Sequence, residues 1–535
     1  MSLIRLNDDS KKYDPKLIFH EIYFRLSKGD RVGLIGKNGV GKTTVLRLIL
    51  SQEEPTSGTI EIENGVKIGY FSQFSELNDD LSVQKILEGV FSDIQAIEEE
   101  LFQIELALEE SSKGKKLRDL IDRQAHLIEE MDRSDGWTYQ SRIDTVLNKL
   151  GFSKEYRNKP VSQLSGGWRN RSALAKILLE EPDILLLDEP TNYLDITGLE
   201  WLEQWLNKLK GALIIISHDR HFLDLVVNKI VEIENYHFQE YEGNFTQYIR
   251  EKRIRIKTLE RQFQHEEELL AFEAEAITDR NEARKDPSGT LKRKLASIKK
   301  QAEPRPVDKI ITSLYDGIRV GNKICRIEGL TKAYNNHSLF RDLTLDIQRG
   351  ERITVIGPNG CGKTTLLKVL TGIEDSDAGK ILWEKNVEYS YYNQVFDELD
   401  PDDSVSHSVN ILSLTFTAPR KQVNKFLAMM QFSELDLDQK IGTLSGGQRA
   451  RVALAKCLLS GSSLIILDEP TNHLDITSTQ VMERALIHFP GAVVVVSHDR
   501  FFIDKIATRL IIFDESGTLR DFNGNWTIWQ ASLAQ

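Results

Sequence analysis

The sequence predicts an α/β chain built from two tandem copies of one domain, and three observations predict it. Gly36-Lys37-Asn38-Gly39-Val40-Gly41-Lys42-Thr43-Thr44 returns as Gly357-Pro358-Asn359-Gly360-Cys361-Gly362-Lys363-Thr364-Thr365. Leu164-Ser165-Gly166-Gly167 returns as Leu444-Ser445-Gly446-Gly447. Each glycine-rich run follows a short apolar strand, Val32 to Ile35 or Ile353 to Ile356, and opens an apolar-periodic helix. The spacing between copies changes along the chain. Lys42 to Lys363 and Gln73 to Gln394 are both 321 residues apart, whereas Ser165 to Ser445, Glu189 to Glu469 and His218 to His498 are all 280 apart. The first copy therefore carries 41 extra residues between its glutamine and its Leu-Ser-Gly-Gly.

The bulk properties agree with two domains. A chain of 535 residues exceeds the size at which one core keeps growing. Its 40% hydrophobic and 28% charged residues are those of a globular protein, and no run of about 18 apolar residues could span a bilayer. The longest apolar stretches, Ala212 to Ile216 and Ala492 to Val496, read as short buried strands. The beginning of the chain, with Arg5, Asp8, Asp9, Lys11 and Lys12, lacks the apolar core of a secretory signal, so a cytoplasmic protein is expected. The three cysteines, Cys325, Cys361 and Cys457, have no metal-ligand spacing and imply neither a disulfide framework nor a zinc site. A net charge of −12 argues against a chain that coats nucleic acid everywhere, but leaves room for local basic patches.

Taken in chain order, each copy carries the parts of a phosphate-binding site. The pattern G-x-x-x-x-G-K-T between a strand and a helix is a P-loop. Its glycines (Gly36, Gly39 and Gly41; Gly357, Gly360 and Gly362) let backbone amides converge on phosphate oxygens, with Asn38 or Asn359 inside the loop. The helix N-terminus adds positive potential, and Lys42 and Lys363 reach the outer phosphates. Thr43 and Thr364 are candidate Mg²⁺ ligands, with Thr44 and Thr365 beside them. Further on, Ile184-Leu185-Leu186-Leu187-Asp188-Glu189 and Leu464-Ile465-Ile466-Leu467-Asp468-Glu469 are apolar strands ending in paired carboxylates. Asp188 and Asp468 are assigned to the magnesium shell, and Glu189 and Glu469 to polarising the attacking water. Strands ending in Ser217-His218 and Ser497-His498 place His218 and His498 as γ-phosphate contacts. ATP and Mg²⁺ are the cofactors this set calls for.

Two P-loops, each followed by the same carboxylate strand, histidine strand and Leu-Ser-Gly-Gly, resemble the ATP-binding cassette ATPase domains over nearly all of the chain outside two inserts. The resemblance implies a head-to-tail pair of cassettes in one monomer. Ser165, Gly166 and Gly167 of one cassette would close over ATP held by Lys363 of the other, and Ser445, Gly446 and Gly447 over ATP held by Lys42. Gln73 and Gln394 match the family's magnesium-binding glutamines, and Tyr13 and Tyr334 match the aromatic that stacks on adenine. From sequence alone an ordinary half-buried tyrosine reads the same way. Both ATP sites look complete, so two hydrolytic sites are expected. Trp168 stands where the second copy has Gln448, and is expected to weaken contacts at the site built with Lys363.

Glu-Pro-Thr-Asn-(Tyr/His)-Leu-Asp in both halves, Glu189 to Asp195 and Glu469 to Asp475, resembles the F subfamily, as does Trp168 itself. So do the turns Tyr241-Glu242-Gly243-Asn244-Phe245 and Phe522-Asn523-Gly524-Asn525-Trp526. That subfamily works on ribosomes and moves no solute. The expected division is a first cassette over 1–247 with a helical arm at about 92–135, a charged α-helical linker over 248–322, and a second cassette over 323–535. The linker reads as a helical hairpin turning at Asp286-Pro287-Ser288-Gly289. From Arg280 to Lys300 it carries eight basic residues against two acidic ones, Glu282 and Asp286. Arg280, Arg284, Lys285, Lys292, Arg293 and Lys294 are the candidate RNA-binding residues, through phosphate and shape rather than base readout.

By resemblance the linker's targets are transfer RNA and ribosomal RNA near the peptidyl-transferase centre. The acidic arm, with Glu98-Glu99-Glu100 and Glu129-Glu130, suits a basic ribosomal protein on the exit-site side, or else packs as a helical pair on its own domain. The expected function is an ATP-hydrolysing translation factor that docks on the ribosome when closed on ATP and leaves on hydrolysis. The rival expectation is an ATPase subunit that energises a separate membrane exporter; a DNA-repair ATPase would need long coiled coils or zinc modules that this sequence lacks. Antibiotic protection and ordinary tuning of translation are both compatible with the linker, and no long extension follows Trp526.

Overall fold

The computed structural model describes residues 2–13, 16–72, 77, 79–110, 115–164, 166–258, 261, 321–334, 337–393, 399–410, 420–472, 474–514 and 519–533. The chain divides into two compact units, Met1–Gln239 and Glu240–Gln535.

In the first unit, β1 (Ser2–Tyr13), β2 (Lys16–Ser27) and β4 (Ser57–Ile62) form an antiparallel sheet in the order β2-β1-β4. A second sheet runs β5-β6-β7-β3-β8-β9, from β3 (Arg31–Gly36), β5 (Ile68–Phe71), β6 (Ile184–Asp188), β7 (Ala212–Ile216), β8 (Lys229–Glu234) and β9 (His237–Glu242). Its pairings from β5 through β8 are all parallel. Parallel strands covered on both faces must be apolar throughout, which is why Ala212–Ile216 is five buried residues in a row. Between the two sheets lies a core that includes Ile4, Leu6, Phe19, Leu46 and Ile214.

The second unit repeats this plan. β10 (Lys323–Tyr334), β11 (His337–Gln348) and β13 (Ala378–Trp383) pair in the order β11-β10-β13. β12 (Arg352–Ile356), β14 (Tyr389–Tyr392), β15 (Leu464–Asp468), β16 (Ala492–Val496), β17 (Arg509–Phe513) and β18 (Leu519–Asn523) pair as β14-β15-β16-β12-β17-β18. The strand order is that of the first unit, element for element. The repeat is broken in the core at Asp9, which lies at a register shift of β1, is fully buried and has no hydrogen-bonding partner for either carboxylate oxygen among the described residues. The matching residue of β10, 321 positions later, is the fully buried Leu330.

The helices that matter for the site start where strands end. α1 (Lys42–Ile49) follows β3, and α4 (Gly166–Leu179) precedes β6. α5 (Lys363–Leu370) and α6 (Gly446–Leu458) are their counterparts. The extra residues of the first unit hold α2 (Ser92–Glu110) and α3 (Lys115–Arg133), each 19 residues long. They pack through Leu101, Ile104, Leu127 and Met131 and are tied by the Arg123–Glu100 pair, 2.7 Å apart. A helix over 245–258 follows β9 in the chain, with Tyr241 and Phe245 packed on Tyr248. The linker hairpin expected beyond it lies outside the described residues.

Candidate nucleotide site

The P-loop of each cassette is shaped by glycine at the start of its helix. Gly41 and Gly362 sit at φ 103° and 107°, in the left-handed region that a side chain resists. A β-carbon on Gly41 would stand 2.2 Å from Ile18 Cγ2. Neither helix start has a side-chain cap, so the first amides of α1 and α5 remain open to an anion. Lys42 Nζ folds back onto the carbonyls of Gly36 and Lys37 at 2.9 and 3.1 Å, and Lys363 Nζ onto those of Gly357 and Pro358, both at 2.8 Å. The loop thus holds its ammonium group in place, ringed by carbonyls.

Because β3, β6 and β7 lie side by side and parallel, their carboxyl ends bring residues distant in sequence to one edge. Thr43 Oγ1 donates to Asp188 Oδ2 at 2.8 Å. Burial pushes the Asp188 carboxyl up, against the pull of Thr43 and Lys42; burial does the same to Asp468, against Thr364 and Lys363. Asp468 Oδ1 is buried without a hydrogen-bonding partner among the described residues. A hydroxyl and a carboxylate oxygen facing a phosphate loop form a donor set that suits Mg²⁺, which takes one or two protein oxygens and fills the rest with phosphate and water. A cavity of about 760 Å³ opens beside this pair, lined in part by Arg47, Tyr70, Ser72 and Lys176.

The next residue along each strand departs from ordinary backbone geometry. Glu189 has φ 51° and Glu469 φ 47°, strained for a residue with a side chain. Their amides donate to Ile216 O and Val496 O, both at 2.9 Å, which fixes the turn against the neighbouring strand. Each carboxylate meets the histidine of that strand: Glu189 Oε1 is 3.2 Å from His218 Nε2, and Glu469 Oε1 is 3.3 Å from His498 Nε2. Burial pushes Glu189 up to about 8 and Glu469 up to about 7, opposed by Lys42 and Lys363. A carboxylate poised near neutral pH, held by a strained turn, is equipped to take a proton from water.

The two candidate stacking tyrosines are exposed, Tyr13 at 43% and Tyr334 at 45%. Ser445 caps α6, with Gly446 and Gly447 in its first turn, and Gly166 and Gly167 open α4. Each unit therefore gathers its own lysine, threonine, aspartate, glutamate and histidine at one sheet edge. Gln73, Gln394, Ser165 and the basic residues Arg280, Arg284, Lys285, Lys292, Arg293 and Lys294 lie outside the described residues. Sequence reasoning did not reach the left-handed turns at Glu189 and Glu469, since nothing in a Glu-Pro dipeptide announces a positive φ. It also missed Lys11, Glu53, Lys332 and Glu374 around the two tyrosines; their repetition at one offset in both copies was the available signal.

The comparisons with known proteins agree with this geometry. Residues 19–192 and 340–472 match the family described as "ABC transporter". The chain is 35% identical over 540 residues to "ABC transporter F family member 5" of Arabidopsis thaliana, covering 98% of this chain and 77% of that protein. The chain belongs to the F subfamily of ATP-binding cassette ATPases. This F-subfamily chain is also 31% identical over 519 residues to the "Energy-dependent translational throttle protein EttA" of Escherichia coli, covering 96% of it and 92% of the relative. A protein of the same name from Mycobacterium tuberculosis is 33% identical over 510 residues, covering 94% and 90%. Among solved structures, one described as "RNase-L Inhibitor" superposes with TM-score 0.63 at 20% identity, over 98% of this chain and 93% of that one. At that identity it speaks for the fold, which is the tandem-cassette fold expected. The F-subfamily chain is an ATPase with two cassettes. Among its described residues no helix is long and apolar enough to cross a membrane.

Proposed function

We propose that this ATPase is a cytoplasmic translation factor that binds the ribosome when its cassettes are closed on ATP and leaves when ATP is hydrolysed. One observation carries the reading: proteins named as translational throttles align with 94–96% of this chain, across both cassettes and the segment between them. The basic stretch from Arg280 to Lys300 supports it, since in a chain of net charge −12 such a run suits a phosphate backbone.

In this reading ATP is held by Gly36, Asn38, Gly39, Gly41, Lys42, Thr43 and Thr44, with adenine on Tyr13, and by Gly357, Asn359, Gly360, Gly362, Lys363, Thr364 and Thr365, with adenine on Tyr334. Ser445 with its two glycines completes the first site, and Ser165 with its own completes the second, within one monomer. Thr43, Gln73 and Asp188, and Thr364, Gln394 and Asp468, would hold Mg²⁺, which neutralises charge on the phosphates when bound. Glu189 and Glu469 accept the proton of the attacking water, and His218 and His498 contact the γ-phosphate. The lysines must leave their carbonyl cradles to reach the phosphates. In this reading bound nucleotide selects the closed state. The arm then meets the exit-site side of the ribosome, and Arg280, Arg284, Lys285, Lys292, Arg293 and Lys294 meet RNA near the peptidyl-transferase region.

The test is sedimentation of the full chain carrying Glu189→Gln and Glu469→Gln with purified ribosomes. Stoichiometric co-sedimentation that requires ATP is the expected result. Protein left in the supernatant with and without ATP overturns the ribosomal reading.

A further inference from the structure

Both cassettes surround their tyrosine with the same two charged partners. In the first, the Tyr13 hydroxyl donates to Glu53 Oε2. Lys11 Nζ stands 5.0 Å from the centre of the Tyr13 ring, 3.0 Å from Glu53 Oε2, and donates to the Glu54 carbonyl at 2.8 Å. In the second, the Tyr334 hydroxyl donates to Glu374 Oε1. Lys332 Nζ stands 5.3 Å from the Tyr334 ring, 3.3 Å from Glu374 Oε1, and donates to the Asp375 carbonyl at 2.6 Å. Every member recurs at the same offset of 321 residues, in two units described separately.

The arrangement follows from local structure. Lysine and tyrosine are two residues apart on β1 or β10 and share a face of the strand. The loop leaving α1 or α5 supplies the glutamate that meets that face. The lysine side chains are only 12% and 11% exposed while the tyrosines are 43% and 45% exposed. Each ring therefore has an ammonium group over it and its hydroxyl pinned, yet remains well exposed. Thr44 stands by the Tyr13 phenol, which puts this ring beside the first turn of α1, where the phosphates of ATP would bind.

We propose that Lys11 with Glu53, and Lys332 with Glu374, are positioning residues that clamp the tyrosine rings to receive the nucleobase. The clamp deepens the reading of Tyr13 and Tyr334 as adenine stackers and rests on it. A ring left loose must be immobilised when the base stacks, at a cost of roughly 0.5–1.5 kcal/mol per side chain, or about two- to twelve-fold in affinity. The clamp meets that cost in the folded protein, and it acts on the base while leaving the phosphates untouched. The cation over the ring adds an attraction that needs no ligand.

The test compares equilibrium binding of ATP with that of inorganic tripolyphosphate, which has no base, in the full chain carrying Glu189→Gln and Glu469→Gln. Glu53→Leu with Glu374→Leu, or Lys11→Met with Lys332→Met, is expected to weaken ATP about two- to twelve-fold and leave tripolyphosphate unchanged, which also shows that the P-loops remain folded. Glu53→Gln with Glu374→Gln keeps an acceptor for the phenol and should bind ATP nearly as the parent does. Unchanged ATP affinity in the leucine and methionine variants, or equal weakening of both ligands, overturns the clamp. Tyr13→Ala with Tyr334→Ala separates the two readings: if it leaves ATP unaffected, the adenine role of the tyrosines falls and the clamp with it.

Discussion

Gln448 Oε1 accepts from both the backbone amide and the hydroxyl of Ser445, at 3.0 and 2.9 Å, while Ser445 Oγ accepts from the Gln448 amide at 3.3 Å. This reciprocal box satisfies two donors at the start of α6. The first cassette differs at the glutamine's position. Trp168, which takes the place of the glutamine, stacks on Tyr156 with centroids 4.6 Å apart and planes 18° apart, and the Arg171 guanidinium lies 4.6 Å from its ring. To the effect on nucleotide contacts expected from sequence, the structure adds a packing role for Trp168.

The two helix starts should therefore respond differently to truncation. Gln448→Ala leaves the Ser445 cap in place but removes the acceptor of the Ser445 amide, and should cost about 1 kcal/mol. Trp168→Ala removes a stacked pair and a cation contact from a half-buried site and should cost on the order of 2 kcal/mol. Denaturant unfolding followed in each cassette would measure both, and a costlier loss at Gln448 would contradict the packing assigned to Trp168.

Asp9 should destabilise the first cassette once its carboxyl ionises, above about pH 6. Burial, assisted by the Asp8 carboxylate, pushes it up to about 6 from an ordinary value near 3.8. A folded-state pKa above the unfolded one means that stability is fully present below pH 3.8 and is lost as pH rises through about 6. Asp9→Leu, the residue found at the matching place in β10, should stabilise the fold at pH 8 by roughly 2–3 kcal/mol. The gain should shrink steadily towards pH 4. Thermal unfolding between pH 4 and 8 reads it, and a gain independent of pH would mean that the carboxyl is not the cause.

Glu189→Gln and Glu469→Gln should each lower turnover at their own site by about 10²–10⁴-fold, the range expected for a positioned general base. ATP binding should persist, because neither side chain belongs to the P-loop. Single-turnover assays of each variant separate the two sites. A double variant that hydrolyses ATP at the parental rate would remove both glutamates from the chemistry.

Much of this was legible because the chain states it twice. Strand β7 could be read directly, since a run of five apolar residues that must be buried on both faces has few other uses. Asp188 and Thr43 were legible as a pair because a strand end and a P-loop have a known meeting place. The turn at Glu189 was not, because its positive φ is imposed by the hydrogen bond to Ile216 on the adjacent strand. Lys11 and Glu53 stayed hidden for a similar reason: their meeting depends on where the chain leaving α1 passes β1. Asp9 read as one acid among several near the start of the chain, and only its burial sets it apart.

The α2–α3 hairpin leaves the first cassette and returns to it as one antiparallel pair, so the sheet order is the same as in the second cassette, whose sequence is 41 residues shorter over that interval. Such a hairpin works as an adjustable ruler. Seven residues inserted into each helix would move its tip outward by about 10 Å at 1.5 Å per residue, while the strand order that brings Thr43 to Asp188 would stay the same. Reach and catalysis can thus be selected independently in this chain, one set by helix length and the other by the ends of three strands.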